Sequence, residues 1–453
     1  MSSSVCFRAS MGSRKWHLKQ LGMLTWVLFL MVMFLFVHFT EVYDTSPLVP
    51  THPLSRVKDS GAFQDDLGSL LDSHRAQRDI WEIVPKMRRK PQRSVKEHPD
   101  DVWSLRYVRQ LRMGRRRRSA VSQRKLEAMR ARGVVRQLVR GAYVSERMLS
   151  VRLRREVQRY IRENKHNVAF AGPRVPGRSR EELLCQLKSQ VVRWTLDGTE
   201  EPFYSRGWGG LVPNRTVEQV YGTALKTCAV VSSAGSILDS GLGKEIDSHD
   251  AVLRYNAAPT EGYEDDVGTK TTIRVMNSQI LANPRYNFSG SELYKNNTLL
   301  AWDPAPYNVD LQEWYDYPDF DLFSAYEERR RHDPSQPFYI LHPSYLWRLW
   351  DVIQGNTWED IQPNPPSSGF IGIIVMMALC DKVDVYEYIP SKRQTDICHY
   401  YDYQPNQACT LGAYHPLLSE KALIRRMTSS SESDIGVKGQ LTLPGLRSLQ
   451  CSS

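Results

Sequence analysis

Residues 228–279 read CAVVSSAGSILDSGLGKEIDSHDAVLRYNAAPTEGYEDDVGTKTTIRVMNSQ, and this stretch decides the fold. It holds three short apolar runs, at 229–231, 251–253 and 273–275. Each gives way at once to small or amide residues: Ser232, Ser233, Ala234 and Gly235 after the first, Asn256 after the second, Asn277 and Ser278 after the third. In an open α/β sheet, ligands bind where parallel strands end at their carboxyl edge. Polar side chains placed there can meet a nucleotide without being buried unpaired. Gly235, Gly241 and Gly243 allow close backbone approach near a helix start, which suits a phosphate. The residues alone leave two readings open, a nucleotide site and an ordinary strand–turn–helix unit.

The same alternation continues downstream. Further strand candidates are 298–302, 337–341 and 383–388. Residues 370–379 are apolar on nearly every side, as expected of a helix buried against a sheet. Ser367 and Ser368 follow Pro365 and Pro366 at its start, where hydroxyls cap free backbone N–H groups and where an anion could also sit. Strands alternating with helical patterns indicate an α/β fold, a parallel sheet flanked by helices. Glu181 opens a domain of 181–453, long enough for one substantial core.

The N-terminal third is of a different kind. Residues 21–37 carry no charge, and Arg8, Arg14, Lys15 and Lys19 precede them with no acid. The positive-inside rule then places 1–20 in the cytosol and makes 21–40 a signal anchor for a luminal chain. The run is longer than a usual signal-peptide core, and no small-residue cleavage pattern follows it at once. Residues 41–180 read as a luminal stem ending in the Gly172, Pro173, Pro176 and Gly177 breaks. The net charge of +10 averages over two unlike segments. Residues 81–180 hold 29 Lys and Arg against 8 Asp and Glu, whereas 181–453 hold 23 against 35. A luminal segment meets no nucleic acid, so the basic run Arg115, Arg116, Arg117 and Arg118 is either part of an extended, solvated stem touching anionic glycans or lipid headgroups or a protease site whose use would release a secreted form.

Cys6 lies in the tail, which leaves six luminal cysteines, an even number consistent with three bridges in any of 15 pairings. Sequons at Asn214, Asn287 and Asn296 agree with that compartment.

The wording of 228–279 resembles the large motif of the eukaryotic sialyltransferases. Three more of that family's motifs follow in order: Asn364-Pro365-Pro366-Ser367-Ser368-Gly369, then His399-Tyr400-Tyr401-Asp402, then His415-Pro416-Leu417-Leu418-Ser419-Glu420. The likeness runs from about 181 to 451 and is greatest to the β-galactoside α2,6 branch. It implies a variant Rossmann-like, glycosyltransferase-A-like fold on a single-pass Golgi membrane anchor. It implies inverting transfer of sialic acid from CMP-sialic acid to the 6-hydroxyl of a terminal β-galactose on a glycoprotein or oligosaccharide. The neighbouring readings are α2,3 linkage, an N-acetylgalactosamine acceptor, or a catalytically silent glycan-binding protein.

The resemblance also implies roles for individual residues. His415 would be the general base, with imidazole matched to proton removal near neutral pH. His399 would assist the leaving phosphate. Ser233, Asn256, Asn277, Ser367, Ser368 and Gly369 would face the donor, and Gln279, Asp319, Tyr414 and Lys421 the acceptor. Glu420 would orient nearby structure. The implied bridges are Cys185–Cys451, Cys228–Cys380 and Cys398–Cys409. Asp319-Phe320-Asp321 is a literal D-x-D, but CMP-sialic acid has one phosphate and no diphosphate to clamp, so no metal is expected.

Overall fold

The computed structural model describes residues 103–402 and 408–451. The expected cytosolic tail, the anchor at 21–40 and the stem as far as 102 lie outside them. No helix among the described residues is long and apolar enough to cross a membrane.

Seven strands form one sheet in the order β5-β4-β3-β2-β1-β6-β7. They are β1 (Thr227–Val231), β2 (Ala251–Tyr255), β3 (Ile273–Asn277), β4 (Thr298–Trp302), β5 (Phe338–Ile340), β6 (Lys382–Tyr386) and β7 (Gln440–Pro444). The first six are mutually parallel, while β7 runs antiparallel on β6, so the sheet is mixed where a parallel one was expected. β1 to β5 march in one direction and β6 then joins on the far side of β1. The order therefore reverses at the β1/β6 gap, and such a switch point opens a crevice at the carboxyl edge.

The helices used below are α1 (Trp103–Val139), α2 (Val151–Glu163), α3 (Arg180–Gln190), α4 (Leu322–His332), α5 (Pro343–Gly355), α6 (Ser368–Leu379) and α7 (Leu417–Met427). Strand residues alternate between two buried faces. Val230, Leu253, Val275 and Leu300 join α6 and α5 in the main core, while Ala229, Val252, Met276 and Ala301 pack on the opposite side. Every residue of α6 from Phe370 to Leu379 is buried. The helix starts at Ser367, whose Oγ accepts from the Phe370 amide at 3.2 Å. Its far end is stapled to β1 by the Cys228–Cys380 disulfide. Cys185–Cys451 ties the C-terminal tail to α3, and Cys398–Cys409 closes a short loop, the three pairings the resemblance implies.

Packing begins well before Glu181. Val134, Val135 and Leu138 of α1, then Val144 and Leu149, then Leu153 and Val157 of α2 belong to the main core with Leu183, Leu184 and Leu187 of α3. Leu153, Val157 and Tyr160 recur at helical spacing on the buried face of α2. Each fully buried aliphatic contributes about 1.5–3 kcal/mol, which is ample to hold this segment on the domain. The stretch read as extended stem is therefore folded from about 134 onward. The basic run 115–118 lies within helix α1 rather than in extended chain. Asn214, Asn287 and Asn296 are all exposed.

Candidate active site

At the switch point β1 ends in Val231 and continues as Ser232, Ser233 and Ala234. A loop from 397 to 402 crosses this edge. The Tyr400 amide donates to the Ser233 carbonyl at 2.9 Å, and His399 bridges Ala234. The Cys398–Cys409 disulfide fixes the loop. His399 Nδ1 lies 2.6 Å from Asp402 Oδ2, and its ring stacks on Tyr401 with centroids 5.2 Å apart. That contact is the main cause holding the Asp402 carboxyl below its usual range. Gly235 makes room for this loop rather than for a ligand, since a Cβ there would meet Ile397 at 2.8 Å. The helix opened by Gly243 is five residues long, and a Cβ on Gly243 would meet the Glu264 carbonyl oxygen. Those two glycines serve protein packing, and the long helix that presents its N-terminus to the edge is α6.

Asn256 and Asn277 end β2 and β3 side by side. Asn256 takes a left-handed φ of 46°, which asparagine tolerates better than most residues. Its side-chain oxygen accepts from the Asn277 amide at 3.1 Å. Its carbonyl accepts from Nη1 of Arg274 at 2.8 Å. Arg274 is buried under the edge and braces this turn, a role that sequence reading did not assign. Asn277 Oδ1 is buried with no partner among the described residues.

The segment before α6 and the segment before α7 lock together. Gln362 Nε2 donates to the carbonyls of Ala413 and His415 at 3.0 and 3.3 Å, and Asn364 Nδ2 to that of Tyr414 at 2.9 Å. Gly412 permits this path with φ of 76°, where a Cβ would strike the His415 carbonyl at 2.5 Å. Glu420, fully buried, accepts from the Ser367 amide at 2.8 Å, from Ser367 Oγ at 2.5 Å and from Tyr388 OH at 2.8 Å. Trp302 Nε1 donates to Ser368 Oγ at 2.9 Å. His415 is half-buried, with its Nδ1 2.8 Å from the Pro365 carbonyl. A carbonyl only accepts, so Nδ1 carries the proton and Nε2 is left as the basic nitrogen.

A second cluster adjoins this loop. Asp319 Oδ1 pairs with Lys165 Nζ at 2.7 Å, and the Asp319 amide donates to Asp303 Oδ2 at 3.1 Å. Trp314 Nε1 also donates to Asp303, at 2.8 Å, and Ser278 Oγ bonds the other oxygen. Burial, then the nearby Asp319 charge, pushes the Asp303 carboxyl up to about 7. Tyr414 meets Tyr160 edge-on at 5.4 Å and approaches His166 Nε2 at 3.5 Å. Burial chiefly, and the Asp319 charge next, hold the Tyr414 hydroxyl well above its usual range. Burial drives His166 down to about 4 against the opposing pull of Asp319. Lys165, His166 and Asp303 escaped the sequence reading, the first two because they fall in the stretch taken as stem.

Gln279 sits on the turn leaving β3, two residues after Asn277. Lys421 does not join Asp319 and Tyr414: it is buried, its ammonium donates to the Tyr388 carbonyl, and burial lowers it to about 8. The two carboxylates of the D-x-D face different partners, Asp319 toward Lys165 and Asp321 capping α4 through the Ser324 amide at 3.0 Å. No group of three or more potential metal ligands occurs among the described residues.

A half-buried imidazole of fixed tautomer, a capped helix N-terminus and amide-tipped parallel strands thus come together in one region of the fold. Residues 210–432 match the family model of glycosyltransferase family 29 (sialyltransferase), and the chain carries a domain of that family. It is 60% identical over 322 residues to beta-galactoside alpha-2,6-sialyltransferase 2 of Takifugu rubripes, covering 70% of this chain and 60% of the relative. To the protein of the same name from Danio rerio it is 59% identical over 322 residues, covering 71% and 62%. The chain thus spans about three-fifths of the length of these relatives. Among solved structures, the crystal structure of a mammalian sialyltransferase aligns with a TM-score of 0.35 and 20% identity over 56% of this chain and 94% of that one, a likeness too slight to carry weight.

Proposed function

We propose that this protein transfers sialic acid from CMP-sialic acid to the 6-hydroxyl of a terminal β-galactose, with inversion and without a metal. The observation that carries the reading is the Nδ1 of His415 held on the Pro365 carbonyl at 2.8 Å, which presents Nε2 as a proton acceptor. In this reaction Nε2 takes the proton of the acceptor hydroxyl. The hydroxyl oxygen attacks the anomeric carbon as the bond from that carbon to the phosphate oxygen breaks, and CMP departs on the opposite face. The amides of Ser368 and Gly369, first residues of α6, have no intrahelical acceptor and meet the developing phosphate charge. His399 adds a donor from the crossing loop. Asn277 Oδ1, buried without a partner among the described residues, suits a hydroxyl or amino group of the nucleotide. The Asp319, Tyr414 and His166 cluster forms the galactose side, with Gln279 nearby. Residues 21–40, as a signal anchor, would hold the domain on the luminal face of the Golgi membrane.

The test is incubation with CMP-sialic acid and a panel of β-galactosides and N-acetylgalactosaminides, followed by linkage analysis. An α2,6-linked galactoside is the expected product, and an α2,3 linkage or an N-acetylgalactosamine product would displace the assignment. In parallel, His415→Ala should lose about 10²–10⁴-fold in turnover while CMP affinity stays within a few fold. A variant that keeps most of its turnover removes His415 from the base role.

A further inference from the structure

A cleft of about 490 Å³ lies between α1 and the start of α2. Its lining includes Arg130, Gly133 and Gln137 from α1, Arg147 from the turn between the helices, and Arg154 from α2. Arg130, Gly133 and Gln137 stand at i, i+3 and i+7 and so share one face of α1. Three arginines from three elements thus line one space. None has an ion pair or side-chain hydrogen bond among the described residues, and the lining holds no acid. The carboxylates nearby are engaged elsewhere: Glu146 with Gln158 Nε2 at 3.0 Å, Glu359 with the Glu146 amide at 2.8 Å. Three cations around one cavity, without an ion pair among the described residues, repel one another unless an anion answers them.

Two further features mark the cleft as built rather than incidental. Gln137 Oε1 is buried with no partner among the described residues, an arrangement that costs free energy unless a donor reaches it. Gly133 sits within a long helix with open space where its Cβ would be, although alanine there would favour the helix by about 1 kcal/mol. The missing side chain keeps the floor open to a ligand. Val134, Met148, Leu149 and Val151 supply apolar wall beside the arginines. The volume lies within the roughly 300–1,000 Å³ typical of small-molecule sites and far exceeds one inorganic ion.

We propose that this cleft binds a saccharide bearing a sulfate or phosphate ester. The arginines would hold the tetrahedral oxyanion through charge-assisted hydrogen bonds. The apolar wall would take the C–H face of the ring, and Gln137 Oε1 would accept from a ring hydroxyl. The lining includes none of the residues of the candidate transfer site, and the test does not depend on transfer.

The experiment is titration calorimetry of the full chain with a heparin-derived sulfated tetrasaccharide. Inorganic pyrophosphate and phosphatidylcholine vesicles containing phosphatidylinositol 4-phosphate serve as parallel probes. Saturable tetrasaccharide binding is expected, weakened at least about tenfold by Arg147→Ala/Arg154→Ala and hardly at all by Arg152→Ala/Arg155→Ala, which removes equal charge. Gly133→Leu keeps every charge and favours the helix, yet fills the floor, so it should also abolish binding. Equal loss from both arginine pairs, or unchanged binding in Gly133→Leu, would reduce the cleft to diffuse surface charge and overturn the proposal. Binding of vesicles or pyrophosphate without the tetrasaccharide would overturn the saccharide assignment.

Discussion

His166 offers a thermodynamic test of the buried cluster around Tyr414 and Asp319. Its ring is buried against Trp347, with centroids 5.4 Å apart, and faces Tyr414 and the Asp319–Lys165 pair. Burial is the largest cause of its depression from 6.5 to about 4, with the Lys165 charge assisting and Asp319 opposing. A group with a depressed folded pKa stabilises the protein above its unfolded value, and that contribution is lost as pH falls through the folded one. For His166 the window therefore runs from about 6.5 down to about 4. At 1.36 kcal/mol per pH unit the gap corresponds to about 3 kcal/mol. His166→Asn removes the titration and also some packing on Trp347, which gives an offset that does not vary with pH. Urea unfolding of both proteins at intervals from pH 7.5 to 4 separates the two effects. The wild type should lose about 3 kcal/mol relative to the variant across the window. Parallel stability curves, differing by a constant within about 0.5 kcal/mol, would refute a histidine held neutral by burial.

Asp303 should behave with the opposite sign. Its pKa, raised from 3.8 to about 7, gives stability that is present below pH 3.8 and lost as pH rises through 7, so Asp303→Asn should gain on the wild type by about 4 kcal/mol across that window. Glu420→Gln breaks a buried carboxylate's bonds to the Ser367 amide and hydroxyl and to Tyr388. It should cost about 2–4 kcal/mol and lower the melting temperature by several degrees, and a shift under 1 °C would contradict the lock described above. Cys398→Ser/Cys409→Ser should cost about 3 kcal/mol or less but raise the KM for CMP-sialic acid, because the loop it frees carries His399. Transfer should survive EDTA; restoration of a chelated enzyme by Mn²⁺ would return the Asp319 and Asp321 pair to consideration as a metal site.

The parallel strands were readable because burial on both faces leaves near-continuous apolar runs, as in Ala251–Tyr255 and Thr298–Trp302. β7 was not, since Gln440–Pro444 alternates half-buried and buried residues and follows a Ser-rich stretch that reads as loop. In the basic segment Val135 and Leu138 were visible at helical spacing and are buried, but Leu126 and Met129 share that pattern and are exposed. The density of arginine there masks the Leu153, Val157 and Tyr160 stripe. The residues at the edge were legible through the four motifs. What those motifs could not convey is partnership across the fold: Lys165 with Asp319, Arg274 with Asn256, and Lys421 turned inward to Tyr388. Each depends on a tertiary approach of residues distant in sequence, and local pattern does not encode it.

The early start of the core bears on how this protein can be cut. His166 and Lys165 contribute to the wall at Tyr414 and Asp319, and α2 before them is bound into the interior. Severing the chain at the proline and glycine breaks around 172–177 would cut the covalent link between this side and the sheet and leave it held by packing alone. Scission near 118 would keep that side whole. Two cuts some 55 residues apart would therefore differ in kind, one leaving the Lys165 and His166 side on the same chain as the sheet and the other leaving it held by buried side chains alone.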